Sequence, residues 1–138
     1  MVTEFSGIER RKFVRLDYST PLAYKICSKD TVSKLLNGYT SNVSQTGIHC
    51  LIKNKVENDD ILWLSFDRSV LDICQEIEKD CLIYQSGIIG KVVRVEHTSD
   101  GSYGVGLQFI TRQEKNQSHI YSKVYFLEHG IQTKNEEC

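Results

Sequence analysis

This chain lacks a dominant charge. Its 138 residues carry 17 lysines and arginines against 18 aspartates and glutamates, a formal net charge of −1. Binding to DNA or RNA in general relies on a basic balance over the whole domain, because affinity comes from neutralising phosphates. The composition argues against that class, so an anionic partner is expected to be small and bound at one place. The chain also lacks paired cysteines. Cys27, Cys50, Cys74, Cys81 and Cys138 are odd in number, show no Cys-x-x-Cys spacing and have no histidine at metal-ligand spacing. They are expected to be reduced thiols in a reducing cytoplasm, with no metal site. There is no apolar signal core and no stretch approaching a membrane span, so the expected location is cytoplasmic, without direct membrane insertion. Internal repeats and low-complexity segments are absent too.

Groups suited to catalysis are equally sparse. His49 adjoins Cys50, but neighbouring residues of a strand point to opposite faces, which separates a nucleophile from its base. His97, His119 and His129 have no acid or metal-ligand partner at useful spacing, and the acidic run at 57–60 lacks the ligand spacing of a calcium loop. The expectation is a binding protein that is not an enzyme and carries no cofactor.

What is present is a core and a pattern. Hydrophobic residues make up 40% of the chain. A single domain of this size buries about two-thirds of its unfolded surface. Period-two alternation or short apolar runs mark strands near residues 22–27, 38–42, 47–52, 61–66, 90–96 and 103–109. Residues 99–102 suit a hairpin loop, and Gly104 and Gly106 suit a close backbone approach. Six strands with turns between them predict a mainly β fold, an antiparallel barrel or sandwich.

Two segments break the strand pattern. Ser69 followed by Asp72 reads as a capping box, and Val70, Ile73, Cys74, Ile77 and Cys81 recur at helical spacing, so 69–85 reads as a short helix or as an extended hairpin arm. This region is longer than a minimal barrel needs and is a candidate partner surface. Residues 113–128 carry Ile120, Val124 and Leu127 on one helical stripe, with Gly130 as a stop, and the helix is expected against the barrel or over its open end. The chain divides into a flexible lead-in at 1–8, one domain at 9–128 and a flexible tail at 129–138.

Two short motifs stand out. Arg10, Arg11, Lys12 and Arg15 put three guanidiniums and an ammonium into one short stretch. About thirty residues later come Asn42, Ser44 and Gly47, in the spacing of a tight polar turn whose glycine is expected at positive φ. Guanidinium forks match phosphate oxygens and the O6/N7 edge of guanine, and an asparagine offers both a donor and an acceptor to a purine edge. Alone, the first motif reads as a solvated basic stretch and the second as a plain turn. Together they suggest an anionic purine nucleotide.

Arg11-x-x-x-Arg15, Asn42-x-Ser44-x-x-Gly47 and the strand Gly104-Val105-Gly106-Leu107-Gln108-Phe109, in that order, resemble the PilZ domain family over roughly residues 9–128. The resemblance implies a six-stranded antiparallel β-barrel with a C-terminal α-helix that binds the bacterial second messenger cyclic di-GMP and signals to a protein partner. It implies that Arg11 and Arg15 contact phosphates and a guanine Hoogsteen edge, that Asn42 and Ser44 contact a guanine, that Gly47 shapes the turn, and that Arg10 is an auxiliary cation. Asn42 stands where aspartate is commoner in the family. A PilZ-like scaffold that binds only proteins, in pilus or motility machinery, is the alternative; a small barrel for single-stranded nucleic acid is disfavoured by the near-neutral charge.

Overall fold

Alternating apolar side chains give each strand one face that must leave water, and six strands meet that need by closing on one another. The structure, a computed structural model, describes residues 15–137, with side chains through Leu127. The strands are β1 (Leu16–Asp17), β2 (Pro21–Ile26), β3 (Leu36–Val43), β4 (Gly47–Ile52), β5 (Ile61–Ser65), β6 (Ile83–Tyr84), β7 (Gly87–His97) and β8 (Tyr103–Phe109). Helix α1 is Cys74–Asp80, a 3₁₀ turn spans Arg112–Asn116, and helix α2 is Ser118–Glu137. Antiparallel pairing runs β3-β2-β5-β7-β8-β4, and β4 pairs back onto β3 to close a six-stranded barrel. β1 pairs antiparallel with the end of β3, and β6 pairs with β7. All six predicted strands are present.

Leu22, Tyr24, Val43, Ile48, Cys50, Ile52, Leu62, Leu64, Val92, Val105 and Leu107 fill the interior. β5 is buried on both faces, which explains its unbroken apolar run. Leu62 and Leu64 point inward, while Ile61 and Trp63 join Ile89, Ile120, Val124 and Leu127 in a second cluster under α2. Helix α2 therefore lies on the outside of the barrel. Gly87 serves that cluster, because a Cβ there would come within 2.2 Å of the Trp63 ring. Trp63 Nε1 donates to the Tyr84 carbonyl at 2.6 Å.

The segment at 69–85 is a helix followed by a short strand; Ile77 of α1 and Cys81 at its C-cap join the interior cluster. The expected capping box does not form. Helix α1 begins at Cys74, with Ile73 at the N-cap position and no side-chain cap. Ser69 is taken instead by Asp67, whose Oδ1 accepts from the Ser69 N–H at 3.0 Å and the hydroxyl at 2.6 Å. Those bonds hold the Asp67 carboxyl below its ordinary value. Arg68 anchors the segment by donating to Glu78 at 2.6 Å and to the Ser86 carbonyl at 3.3 Å. Helix α2 continues through Gly130, which does not stop it; one helical glycine costs only about 1 kcal/mol relative to alanine.

Two register irregularities shape the outer face. Thr40 pairs with Cys50 and Asn42 with His49, so Ser41 is an extra residue in β3. Val92 pairs with Leu107 and Arg94 with Gly106, so Val93 is an extra residue in β7. A bulge of this kind resets the inward–outward alternation of every residue beyond it. Thr40 and Val43 are both buried, with the bulge between them, and Asn42 is turned outward.

Candidate functional site

The hairpin between β3 and β4 is built on Ser44. Its N–H donates to the Gly47 carbonyl at 2.8 Å, and its Oγ lies 3.3 Å from the Thr46 N–H and 3.2 Å from the Gly47 N–H, accepting from both. This turn shapes one wall of a cavity of about 570 Å³ on the outer face of the barrel. Gly47 is required there, but not for its backbone angle. Among the described residues Gly101 is the glycine at positive φ, at 87°, and Gly47 is not one of them. A Cβ at Gly47 would instead lie 2.5 Å from the Leu107 carbonyl oxygen, so its absence is what lets β4 pair closely with β8.

The floor of the cavity is one rung across four strands. Asn42 on β3 pairs with His49 on β4, His49 with Gly106 on β8, and Gly106 with Arg94 on β7. Arg15 enters from the segment ahead of β1, where Leu16 pairs with Val43 and Asp17 with Asn42. The cavity thus brings Arg15 together with Asn42, Ser44 and Gly47, which follow it much later in the sequence. Arg10 and Arg11 lie outside the described residues.

Several lining residues were not singled out as binding candidates from the sequence: His49, Val93, Arg94 and Gln108. His49 was available by simple parity, since it is two residues beyond Gly47 on the same strand and so shares its face. Arg94 gave no such signal, because the bulge at Val93 reverses the alternation in β7. Its guanidinium contacts Glu96 at 2.6 Å, with both side chains half or more exposed, so this pair contributes little to stability.

The imidazole of His49 packs over Gly104, where a Cβ would lie 3.2 Å from its Nε2. Gly106 is more open, a Cβ there lying 3.5 Å from that of Arg94. The expected close approach at the two glycines is therefore a seat for a ring at Gly104. Burial lowers the His49 pKa, Glu96 opposes that shift, and Arg15 and Arg94 reinforce it. The free cavity accordingly presents two guanidiniums, a neutral imidazole, an amide and a hydroxyl, a set that can neutralise phosphates and hydrogen-bond a base edge. Among the described residues no cluster of three or more histidine, cysteine or acidic side chains is arranged to hold a metal ion. Cys50, beside His49 in sequence, points into the core, where burial pushes its thiol up to about 12. Among the same residues no helix is long and apolar enough to cross a membrane.

Comparison with known proteins extends this picture. No curated protein sequence matches the chain. Among solved structures, it is similar to the Bacillus subtilis inhibitor of motility (MotI/DgrA), with 14% identity, a TM-score of 0.53, and coverage of 92% of this chain and 52% of that one. It is also similar to Escherichia coli YcgR, whose structure is a complex with cyclic di-GMP, with 10% identity, a TM-score of 0.49, and coverage of 93% and 50%. The chain spans about half the length of each of these proteins. Residues 9–126 match the PilZ domain, nearly the whole sequence. With its six-stranded barrel, outer helix and ordered motifs, the chain belongs to the PilZ domain family.

Proposed function

We propose that this chain is a cyclic di-GMP receptor domain that signals through a protein partner and performs no chemistry of its own. The observation that carries the reading is the convergence of Arg15, Asn42, Ser44 and Gly47 on one cavity, joined by Arg94. Its volume of about 570 Å³ falls within the usual range for small-molecule sites, roughly 300–1,000 Å³. Membership of the PilZ family supports the identity of the nucleotide.

In this reading Arg11 and Arg15 grip the phosphates and a guanine Hoogsteen edge, with Arg10 as an added cation that stacks on a second base. Asn42 and Ser44 read a guanine. Within the turn the Ser44 oxygen accepts from two N–H groups, and its hydroxyl makes a long bond, 3.4 Å, to the Gly47 carbonyl, which it exchanges for the guanine. Binding orders the segment that carries the arginines, at an entropic cost of about 1–2 kcal/mol per residue fixed. The ordered segment then offers a new surface to the partner.

Titration calorimetry with cyclic di-GMP tests the proposal. Saturable heat is expected, and Arg11→Ala and Arg15→Ala are each expected to remove most binding. Absence of heat and of any thermal shift at high ligand concentration would refute the receptor reading. Near-native affinity in both variants would move the site elsewhere.

A further inference from the structure

His49 lies at the centre of the rung that floors the cavity, between Asn42 and Gly106. Its Nδ1 is buried and has no hydrogen-bond partner among the described residues. A buried polar nitrogen without a partner costs stability, and a core strand would have no reason to keep one. The glycine at position 104 clears the space that its ring occupies, with Glu96 Oε1 next to the same spot. Among the described residues, the charges acting on the ring are Glu96 and Arg94 from β7 and Arg15 from the segment ahead of β1. β3 and β8 place uncharged Asn42 and Gly106 opposite it.

We propose that His49 is a further binding residue of this cavity, one that takes a proton from solvent as a dianionic nucleotide enters and then serves as a third cation beside Arg15 and Arg94. The inference rests on the cyclic di-GMP reading above. In the free protein, burial and the two guanidiniums keep the imidazole neutral. Two phosphates arriving in the same cavity offset the guanidinium charge and reverse that balance, and Glu96 already favours the protonated form. One proton moves from water or buffer to a ring nitrogen, and no covalent bond changes elsewhere. Sites that need a cation only when occupied avoid the repulsion of three cations held together in the free state.

The experiment is calorimetric titration of the full chain with cyclic di-GMP near pH 7, in phosphate and in Tris, two buffers of different ionisation heat. The binding heat is expected to depend on the buffer, with a slope that reports uptake of a fraction of one proton. The dissociation constant is expected to rise several-fold between about pH 6 and about pH 8, bounded by about tenfold per pH unit for one proton. His49→Gln, which keeps a hydrogen-bonding side chain without the titration, is expected to bind while losing both dependences. Proton NMR of the wild-type imidazole provides a second measurement, with an upward shift of the His49 titration expected on adding the nucleotide. Normal binding with buffer-independent heat overturns the role of His49 and leaves the nucleotide reading standing, as does a buffer dependence unchanged in His49→Gln. Absence of heat in every buffer overturns both.

Discussion

Asn42 and Arg94 stand at the two ends of one outward-facing rung, and each is preceded by the extra residue that turns it outward: Ser41 before Asn42, Val93 before Arg94. Without the first irregularity the alternation of β3 would direct Asn42 into the core; without the second, Arg94 would follow Val92 to the wrong parity. Bulges recur beside functional sites because the extra residue locally bends the strand and re-aims a side chain. Here a matched pair aims an amide and a guanidinium at one cavity from opposite sides of His49 and Gly106.

Arg94 is therefore expected to contribute to binding and very little to folding. Its side chain is 67% exposed and its ion pair with Glu96 is solvent-screened. A charge-assisted hydrogen bond to phosphate contributes about 1.5–3 kcal/mol. Arg94→Ala should weaken cyclic di-GMP binding by about tenfold or more in calorimetry, while thermal unfolding stays near the wild-type temperature. Unchanged affinity would remove Arg94 from the site.

Gly47 makes the opposite prediction. The Leu107 carbonyl oxygen lies 2.5 Å from where a Cβ would stand, and a backbone atom cannot swing aside as a flexible side chain can. Gly47→Ala should push β4 away from β8 at the cavity wall and destabilise the fold by about 1–3 kcal/mol, visible as a lower unfolding midpoint in denaturant. Stability equal to wild type would show that the strands separate there without cost.

The barrel was legible in the sequence because side-chain alternation is a local property. Strands 47–52 and 103–109 coincide with β4 and β8. What the alternation could not convey was the extra residue at Ser41 or at Val93, since a bulge consumes one residue and leaves no composition cue. The outward aim of Asn42 and Arg94 rests on those bulges. Gly47 was recognised for the wrong physical reason: a contact across strands, invisible to local reading, excludes its side chain. Ser69 failed as a cap because Asp67, two residues earlier, offers a carboxylate to the same N–H and hydroxyl. Arg15, Asn42 and Ser44 stand out in the sequence by their order along the chain, and the fold brings them to the lining of one cavity.

Helix α1 should behave as part of the core. Ile77 is fully buried within the barrel cluster, and truncating such a side chain costs the transfer energy plus a cavity, about 2–5 kcal/mol. Ile77→Ala should lower stability by that amount in chemical denaturation. A near-neutral effect would indicate that the segment is a detachable arm.

Folding of the free protein should depend on pH through His49. Burial lowers its pKa from the ordinary 6.5, so the unfolded chain binds the proton more readily than the folded one. Its contribution to stability is fully present above about pH 6.5 and declines as pH falls through that value toward the depressed folded pKa. The unfolding temperature of wild type should therefore drop more steeply below pH 6.5 than that of His49→Gln. Parallel curves would place the imidazole in solvent. Ligand binding carries the opposite sign, since the bound state gains the proton, so acidification should weaken the free fold and tighten the complex.

Asn42 permits a gain-of-affinity test. An amide offers a single, uncharged acceptor oxygen, whereas a carboxylate offers two and can accept from N1–H and N2–H in parallel with charge assistance, roughly doubling the strength of each bond. Against this, Asn42→Asp adds a negative charge to a cavity meant for phosphates. Arg15 and Arg94 line the same cavity and offset that charge, and His49 across the rung would itself be drawn toward its protonated form by a neighbouring carboxylate. The base-edge gain should therefore prevail, tightening cyclic di-GMP binding by about fivefold, or about 1 kcal/mol. Titration against a guanine-free cyclic dinucleotide such as cyclic di-AMP separates the causes: the gain should appear with the guanine ligand alone. Weaker binding to cyclic di-GMP in the variant would show that Asn42 faces phosphate and not a guanine edge.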